Sequence, residues 1–108
     1  MEQHDLLSQY RNSKAEVMST DDIDLLLEKL QTFACRDCNL YERENRVVTH
    51  RGNPDARIVL VGEGPGKVED EKGVAFVGPA GQFMDKMFES VNLDTNTDLF
   101  CSNVVLCR

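Results

Sequence analysis

Two short runs of β-branched and other apolar residues, separated by a helical segment, constrain the fold of this chain most. The first run, Arg57–Val61, stops at the glycine-rich loop 62–66, and the second covers residues 99–107. Between them, residues 79–92 repeat apolar side chains at helical spacing. Strand, helix and strand in this order predict a right-handed βαβ unit with buried, parallel strands, and therefore an α/β fold.

The carboxyl ends of these two strands are the predicted ligand site, because ligands of parallel sheets bind beyond the strand ends. In this chain those ends are the loop at Glu63 and the last residues before Arg108. Two strands make a poor sheet, and a parallel sheet needs a layer over each face. We therefore expect the chain to be a piece of a longer protein.

The N-terminal part of the chain is expected to contribute one helix. Residues 1–18 lack periodicity and are rich in polar and charged side chains, which predicts a flexible tail before a folded portion over residues 19–108. An apolar stripe from Ile23 to Ala34 repeats at helical spacing and predicts an amphipathic helix. Residues 35–56 are predicted to be irregular.

The net charge of −7 argues at first sight against a nucleic-acid partner, because affinity for DNA comes largely from Lys and Arg at phosphates. The charge is uneven along the chain, however. Residues 35–67 hold six basic and five acidic side chains, whereas both flanking segments are acidic. The basic residues of this segment are Arg36, Arg43, Arg46, Arg51, Arg57 and Lys67. This distribution is compatible with local contact to DNA.

No stretch of the chain approaches the roughly 18–20 consecutive apolar residues of a membrane-spanning helix. The first residues, Met1–Tyr10, are polar and acidic, so they do not resemble a secretion signal. We therefore expect a cytoplasmic protein without membrane contact. In that reducing compartment the four cysteines are expected to be metal ligands or free thiols and not disulfides.

Cys35-x-x-Cys38 places two thiols at the end of the predicted N-terminal helix. This spacing serves zinc, iron–sulfur clusters and redox pairs, and the redox pair is disfavoured because Cys35 follows a helix. Spacing alone leaves zinc and iron–sulfur open. Cys101 and Cys107 would lie roughly 20 Å apart on a regular strand, too far to bind one ion together. One of them is therefore expected to be a buried packing residue.

Three other features carry candidate chemistry. The glycine-rich loop 62–66 fits neither dinucleotide nor P-loop spacing. It is either a tight turn or a place where a ligand approaches the backbone, with Glu63 as an acid or base. Phe76 lies among glycines and apolar residues, where an aromatic is more often part of the core than a ligand platform. Asn103 is an amide in an apolar strand, and a buried amide needs hydrogen-bond partners.

Taken in order, the motifs resemble those of family 4 uracil-DNA glycosylases, the iron–sulfur type, over the N-terminal part of that family. Each motif is weak alone, but the series is strong, and it extends over residues 30–108. The motifs are Cys35-x-x-Cys38, Gly52-Asn-Pro-Asp-Ala56, Val61-Gly-Glu-Gly-Pro-Gly66, Glu69-Asp70, Gly73-x-x-Phe76-Val-Gly78 and Asn103-Val-Val-x-Cys107-Arg108. The resemblance implies a three-layer α/β/α sandwich with a parallel central sheet, here incomplete.

The resemblance also implies a reaction and its residues. The family hydrolyses the N-glycosidic bond of uracil that has been flipped out of DNA, in base excision repair. Phe76 would stack on uracil, and Asn103 would read its edge. Glu63 and the Gly64 backbone would lie near the attacking water, and Glu69 matches a second acidic position among the catalytic residues. The implied partner is uracil-containing DNA, bound by a monomer.

By the same resemblance, Cys35, Cys38 and Cys107 would bind a [4Fe–4S] cluster whose fourth ligand lies further downstream. Cys101 matches no ligand position. Ala75 stands where the family usually has proline, and the late histidine motif of the family is absent from these residues. The 108-residue piece alone is therefore expected to be inactive.

Two other functions stay open. The first is a glycosylase-like module of a larger replication or phage protein, which binds DNA or a protein partner without cutting. A downstream histidine motif and a fourth cysteine would favour the enzyme over this module. The second is a small zinc-binding interaction domain, which does not explain why Glu63, Phe76 and Asn103 occur together.

Overall fold

The computed structural model describes residues 3–33, 35–42 and 47–108. The sheet of this part of the chain has three strands, in the spatial order β1–β3–β2. Their bounds are Arg51–Gly52 for β1, Ile58–Gly62 for β2 and Leu99–Asn103 for β3. The central strand is thus the last one along the chain.

β3 pairs in parallel with β2 and antiparallel with β1. In the parallel pair Ile58 is the partner of Leu99, and Gly62 is the partner of Asn103, which confirms the predicted pair of parallel strands. β1 lies in the segment that is predicted to be irregular, because two residues are too few to show a strand pattern. The sheet is therefore mixed, whereas the sequence predicts a parallel one.

The two long strands differ in burial because β3 is central and β2 lies at the edge of the sheet. Leu99 and Cys101 of β3 are fully buried, as predicted. Val59 and Val61 of β2 are 59% and 62% exposed. The prediction that β2 is a buried strand is therefore wrong for this chain. Apolar side chains on a parallel strand are normally covered by a helical layer, and the described helices leave these two uncovered.

β3 ends at Asn103, before the predicted end at Cys107. The chain bends at residues 104–105 and continues without strand geometry. Apolar residues after Asn103 suggest a longer strand, but the strand ends where the pairing with β2 ends. Cys101 and Cys107 therefore do not lie on one regular strand, and the separation expected from strand geometry does not apply to them.

The described residues form four α-helices and one short 3₁₀ turn. The helices are α1 (Gln3–Met18), α2 (Ile23–Thr32), α3 (Lys67–Lys72) and α4 (Pro79–Glu89), and the turn spans Asn39–Glu42. α2 and α4 confirm the two helices that apolar periodicity predicts, although α4 ends before residue 92. α3 has six residues, too few for periodicity to reveal.

α1 occupies the segment for which the sequence predicts a tail. Its side chains contact α2 and the residues that follow it. Tyr10 stacks on Phe33 with ring centroids 5.5 Å apart, and Val17 and Leu27 are buried. The described part of residues 1–18 is therefore helical, whereas its predicted flexibility stays a prediction.

α2 begins where a side chain caps it. Asp22 accepts a hydrogen bond from the backbone N–H of Leu25 at 3.0 Å, which satisfies one of the free donors of the first turn. Ala34, Arg43 and Arg46 lie outside the described residues. Among the described helices, none combines the length and the apolar character that crossing a bilayer requires.

Candidate functional site

Phe76 and Asn103 meet over a single glycine at the carboxyl ends of β2 and β3. Gly62 ends β2 and is the register partner of Asn103, which ends β3. A Cβ placed on Gly62 would lie 2.5 Å from Asn103 Oδ1 and 2.7 Å from Phe76 Cζ. The two side chains therefore occupy the space of a side chain at position 62, and their approach requires glycine there.

Asn103 is a largely buried residue whose amide is still open to a ligand. The residue is 9% exposed, and its side chain has no hydrogen-bond partner among the described residues. The described residues contain one fully buried side-chain polar atom without a partner, Asp85 Oδ1, so solvent reaches the Asn103 amide. A planar ligand beside the Phe76 ring would take the place of that solvent, because an amide offers both donors and an acceptor.

Phe76 has an unusual backbone conformation that its neighbours hold in place. Its φ is 57°, in the left-handed region that residues other than glycine seldom adopt. The Arg51 guanidinium donates to the Phe76 carbonyl oxygen at 2.8 Å, and the preceding Ala75 N–H donates to the His50 carbonyl oxygen at 3.4 Å. A Cβ on Gly81 of α4 would overlap the Phe76 carbonyl group. The ring is thus placed by a closely packed loop.

Glu69 lies in α3 and binds backbone N–H groups with both carboxylate oxygens. Oε1 accepts from Gly66 at 3.1 Å, and Oε2 accepts from Val77 at 2.8 Å and from Gly78 at 2.5 Å. Burial raises the pKa of this carboxyl, but the N–H groups of Gly78, Val77 and Gly66 outweigh burial and bring the pKa below its usual value. Glu69 is therefore an ionised carboxylate that ties α3 to the loop after Phe76.

Glu63 and Gly64 lie in the loop that follows β2, at the same end of the sheet as Asn103. Glu63 is exposed, and its carbonyl oxygen accepts from the backbone N–H of Val105 at 3.0 Å. A Cβ on Gly64 would meet only Val105, at 3.8 Å, so the space beside this backbone is open. The structure thus brings Glu63, Gly64 and Asn103 to one edge of the sheet.

Three of the four cysteines line one apolar cavity of about 240 Å³: Cys35, Cys38 and Cys107. None of the three forms a disulfide, and Cys107 reaches the cavity because the chain bends after β3. Cys101 lies apart from them in the core of β3, where it is fully buried and burial raises the pKa of its thiol. The structure therefore brings the three predicted ligands to one cavity and leaves Cys101 apart from them.

The cavity of the three thiols is not a site for a single metal ion as the described residues stand. Among these residues no group of three or more His, Cys, Asp or Glu side chains has the geometry to hold one ion. An iron–sulfur cluster is larger than a single ion, and cysteine thiolates are the ligands that would hold it. The donor chemistry, three thiols around an apolar space, fits such a cluster.

Comparison with known protein families identifies this arrangement. The model of the uracil DNA glycosylase superfamily matches residues 49–108, which include Glu63, Glu69, Phe76 and Asn103. The chain belongs to this superfamily.

Relatives to which this chain is similar include type-4 uracil-DNA glycosylases. The chain is 41% identical to that of Archaeoglobus fulgidus over 78 residues, which are 72% of this chain and 39% of the relative. It is 42% identical to that of Thermotoga maritima over 74 residues, 68% of this chain and 38% of the relative. The matched part of the chain therefore spans about two fifths of the length of these two relatives.

In this glycosylase-superfamily chain, α1 contributes to the cysteine cavity. Lys14, Val17 and Met18 of α1 line the cavity with the three thiols. The Tyr10 hydroxyl donates to Asp37 at 2.8 Å and accepts from the backbone N–H of Arg36 at 2.9 Å. Sequence reasoning missed this helix, because its polar residues hide the few side chains that contact α2.

Sequence reasoning also missed the role of Arg51, which it names only as one of several basic residues. The guanidinium pairs with Asp85 at 2.8 Å, and the Arg51 side chain is largely buried, with 12% of it exposed. Its partners Phe76 and Asp85 lie 25 and 34 residues further along the chain. No local pattern reveals contacts at such separations.

Proposed function

We propose that the intact protein is a uracil-DNA glycosylase, which hydrolyses the N-glycosidic bond of a uracil flipped out of DNA. The observation that carries this proposal is the Asn103 amide beside the Phe76 ring, over Gly62. A glycosylase has to unstack a base, hold its face and read its Watson–Crick edge. An aromatic ring and one amide at the same point supply the second and third of these needs.

The amide explains a preference for uracil over cytosine. The Asn103 NH₂ group would donate to uracil O4, and its oxygen would accept from uracil N3–H. Cytosine presents a donor at position 4 and an acceptor at position 3, so its edge mismatches a fixed amide twice. Each unpaired buried group costs about 1–3 kcal/mol, so two mismatches would discriminate by a factor on the order of a thousand.

Bond cleavage would use the loop after β2. We propose that Glu63 and the Gly64 backbone lie beside the water that attacks the sugar carbon, because both lie at the strand end next to Asn103. Uracil would leave as an anion, which backbone N–H donors stabilise. Glu69 would act by positioning, since its carboxylate oxygens already accept hydrogen bonds from the backbone.

Cys35, Cys38 and Cys107 would hold a [4Fe–4S] cluster, with a fourth ligand from residues beyond this chain. When bound, such a cluster cross-links its ligands and supplies structural stability. The cysteines would thereby tie the loop after α2 to the segment after β3, which carries Asn103 at its start. This proposal is supported by the placement of the three cysteines around one apolar cavity.

We also propose the three-layer α/β/α sandwich for the intact protein, with uracil-containing DNA as partner of a cytoplasmic monomer. The apolar side chains exposed on β2 and α4 support the extra layers. They are Ile58, Val59, Val61, Phe83 and Met87. The basic residues between positions 35 and 67, other than the largely buried Arg51, support contact with phosphates.

Single-turnover excision from a uracil-containing oligonucleotide tests the proposal, with the intact protein and two pocket variants. Asn103→Ala is expected to slow excision on the order of a hundredfold, equal to about 3 kcal/mol. Phe76→Ala is expected to slow it by about tenfold to a hundredfold, because base stacking on an aromatic ring is worth about 1–3 kcal/mol. Leu6→Ala removes a 56% exposed apolar side chain from α1, outside the exposed faces of β2 and α4, and serves as the control.

Binding of the same oligonucleotide separates capture of the base from contact with phosphates. Both pocket variants are expected to bind DNA nearly as well as the wild type. Excision rates that stay unchanged in Asn103→Ala and Phe76→Ala would contradict the pocket assignment. DNA binding without excision by the wild-type protein would favour the non-cutting module instead.

A further inference from the structure

Arg51 holds the Phe76 loop through a set of directed contacts. Its Nη1 donates to the Phe76 carbonyl oxygen at 2.8 Å, its Nη2 to Asp85 Oδ2 at 2.8 Å and its Nε to Asn96 Oδ1 at 2.9 Å. The side chain is 12% exposed. The planar guanidinium can satisfy these acceptors at fixed angles, which a lysine ammonium cannot reproduce. Asp85 and Asn96 thus orient Arg51 toward the backbone of Phe76.

Arg51 and Glu69 bind opposite ends of one peptide group. The Phe76 carbonyl and the Val77 N–H belong to the same peptide unit, which is planar. Arg51 donates to its oxygen, and Glu69 accepts from its nitrogen at 2.8 Å. Both hydrogen bonds involve a charged group, and such bonds are stronger than neutral ones. A positive and a negative side chain therefore fix the plane of this peptide between them.

Phe76 needs this restraint because of its backbone conformation. A φ of 57° is sparsely populated by residues with a side chain and persists only where the surroundings impose it. The position of the Phe76 Cα sets where its side chain begins. Arg51 and Gly81 of α4 contact the Phe76 carbonyl group and so hold that Cα, which places the ring beside Asn103 and over Gly62. The conformation of the peptide is therefore a condition for the aromatic platform.

We propose that Arg51 is a positioning residue for base capture, acting through Phe76 with Glu69 on the other side of the peptide. The inference rests on the proposed function, because it assigns Phe76 the role of stacking on the flipped base. Arg51 does not bind DNA phosphates in this proposal, since its guanidinium is largely buried and paired with Asp85. Its effect is on the rate of excision and not on the affinity for DNA.

A double-mutant cycle in the intact protein tests the proposal. The variants are Arg51→Met, Phe76→Ala and the combination of both, and single-turnover excision is measured for each. Arg51→Met is expected to slow excision on the order of tenfold to a hundredfold, because small misplacements of catalytic groups have effects of that size. In the Phe76→Ala background the same change is expected to have almost no effect, because the ring it positions is gone. Arg11→Met removes an exposed arginine of α1 and controls for the loss of one positive charge.

Hydrogen exchange provides a second readout that does not depend on activity. Arg51→Met is expected to speed amide exchange at Val77 and Gly78, which donate to Glu69, while the amides paired between β2 and β3 keep their protection. Faster exchange throughout the sheet would show general unfolding and overturn a local role.

The outcomes separate this inference from the proposed function. An equal loss of excision in both backgrounds, or weaker binding of uracil-free DNA by Arg51→Met, would make Arg51 a direct contact and overturn the proposal. If the wild type does not excise uracil, the proposed function fails. Hydrogen exchange alone then tests whether Arg51 positions the Phe76 loop. Unchanged exchange at Val77 and Gly78 in Arg51→Met would then overturn the positioning role.

Discussion

Gly62 and Asn103 are register partners at the last position of the parallel pair β2–β3. The backbone of Gly62 forms the floor on which the Asn103 amide and the Phe76 ring meet, since a Cβ there would lie 2.5 Å and 2.7 Å from their nearest atoms. Contacts this short require a neighbour to move. The absence of a side chain at position 62 therefore determines the shape of the candidate pocket.

Gly62→Ala is expected to displace Phe76 or Asn103 and to slow uracil excision by the intact protein by at least tenfold, because misplaced groups lose catalytic contacts. Crowding a closely packed site typically costs about 1–3 kcal/mol, so the free energy of unfolding should fall as well. Excision kinetics and urea unfolding measure the two effects. Gly64→Ala is the control for stability, because its Cβ would meet only Val105, at 3.8 Å. Excision by Gly62→Ala at the wild-type rate would contradict the pocket geometry.

Gly81→Ala should have two opposing effects on the free energy of unfolding, and they differ in size. Alanine is a better helix former than glycine by about 0.5–1 kcal/mol, which favours the variant. A Cβ at position 81 would overlap the Phe76 carbonyl group, however, and overpacking against backbone costs about 1–3 kcal/mol. The clash should win, and the variant should unfold at lower urea concentration. A more stable variant would show that α4 and the Phe76 loop are further apart than the structure places them.

The sequence predicts the parts of the fold that local periodicity encodes. β2, β3 and α4 are long enough for apolar residues to reveal their type. β1 has two residues, and α1 shows little periodicity because most of its side chains are polar. The edge position of β2 is a property of the sheet as a whole, so its exposed valines could not be foreseen from an apolar run.

Some features of the candidate site can likewise be predicted from the sequence, and others cannot. Asn103 is conspicuous in the sequence because an amide in an apolar strand needs a reason, and Phe76 gains its role only from the resemblance. Glu69 is expected among the catalytic residues, and its hydrogen bonds with the N–H groups of Gly78 and Val77 support the positioning role that we propose for it. Such a distinction depends on where backbone N–H groups point, which residue types do not reveal.

Glu69 should make the stability of the fold depend on pH in the acid range. Its pKa lies below the usual 4.5, because backbone N–H groups overcome the effect of burial. A carboxyl whose pKa is lower in the folded state stabilises the fold above its unfolded pKa and loses that contribution as the pH falls through the folded pKa. The free energy of unfolding, measured with urea, should therefore decrease as the pH falls below 4.5.

Glu69→Gln should flatten that acid dependence, because the glutamine cannot be protonated in this range and binds the Gly78 and Val77 N–H groups more weakly. Glu71→Gln, an exposed carboxylate on the same helix, is the matched control and should retain the wild-type slope. Equal slopes in the wild type and Glu69→Gln would show that Glu69 does not stabilise the loop as an anion.

Tyr10→Phe is expected to weaken the attachment of α1 to the cysteine loop. The variant keeps the ring that stacks on Phe33 but loses the hydroxyl bonds to Asp37 and to the Arg36 N–H. Arg36 and Asp37 lie between Cys35 and Cys38. A chelator should therefore remove iron from the intact Tyr10→Phe variant faster than from the intact wild type. Ser13→Ala removes an exposed hydroxyl from the same helix as a control. Identical rates of iron loss would show that α1 does not protect this loop.

The cysteines give the last prediction, in which two residues of one segment behave differently. Cys107 lines the cavity with Cys35 and Cys38, so Cys107→Ser should remove one cluster ligand and abolish iron binding by the intact protein. Cys101 is fully buried in β3, away from that cavity, so Cys101→Ser should retain iron. Its cost should appear in the free energy of unfolding, by about 1–3 kcal/mol, since a hydroxyl replaces a thiol in the core. Metal analysis of anaerobically purified protein and urea unfolding distinguish the two effects. Loss of iron from Cys101→Ser with retention in Cys107→Ser would mean that the segment after β3 runs differently, and stoichiometric zinc in place of iron would exclude the cluster.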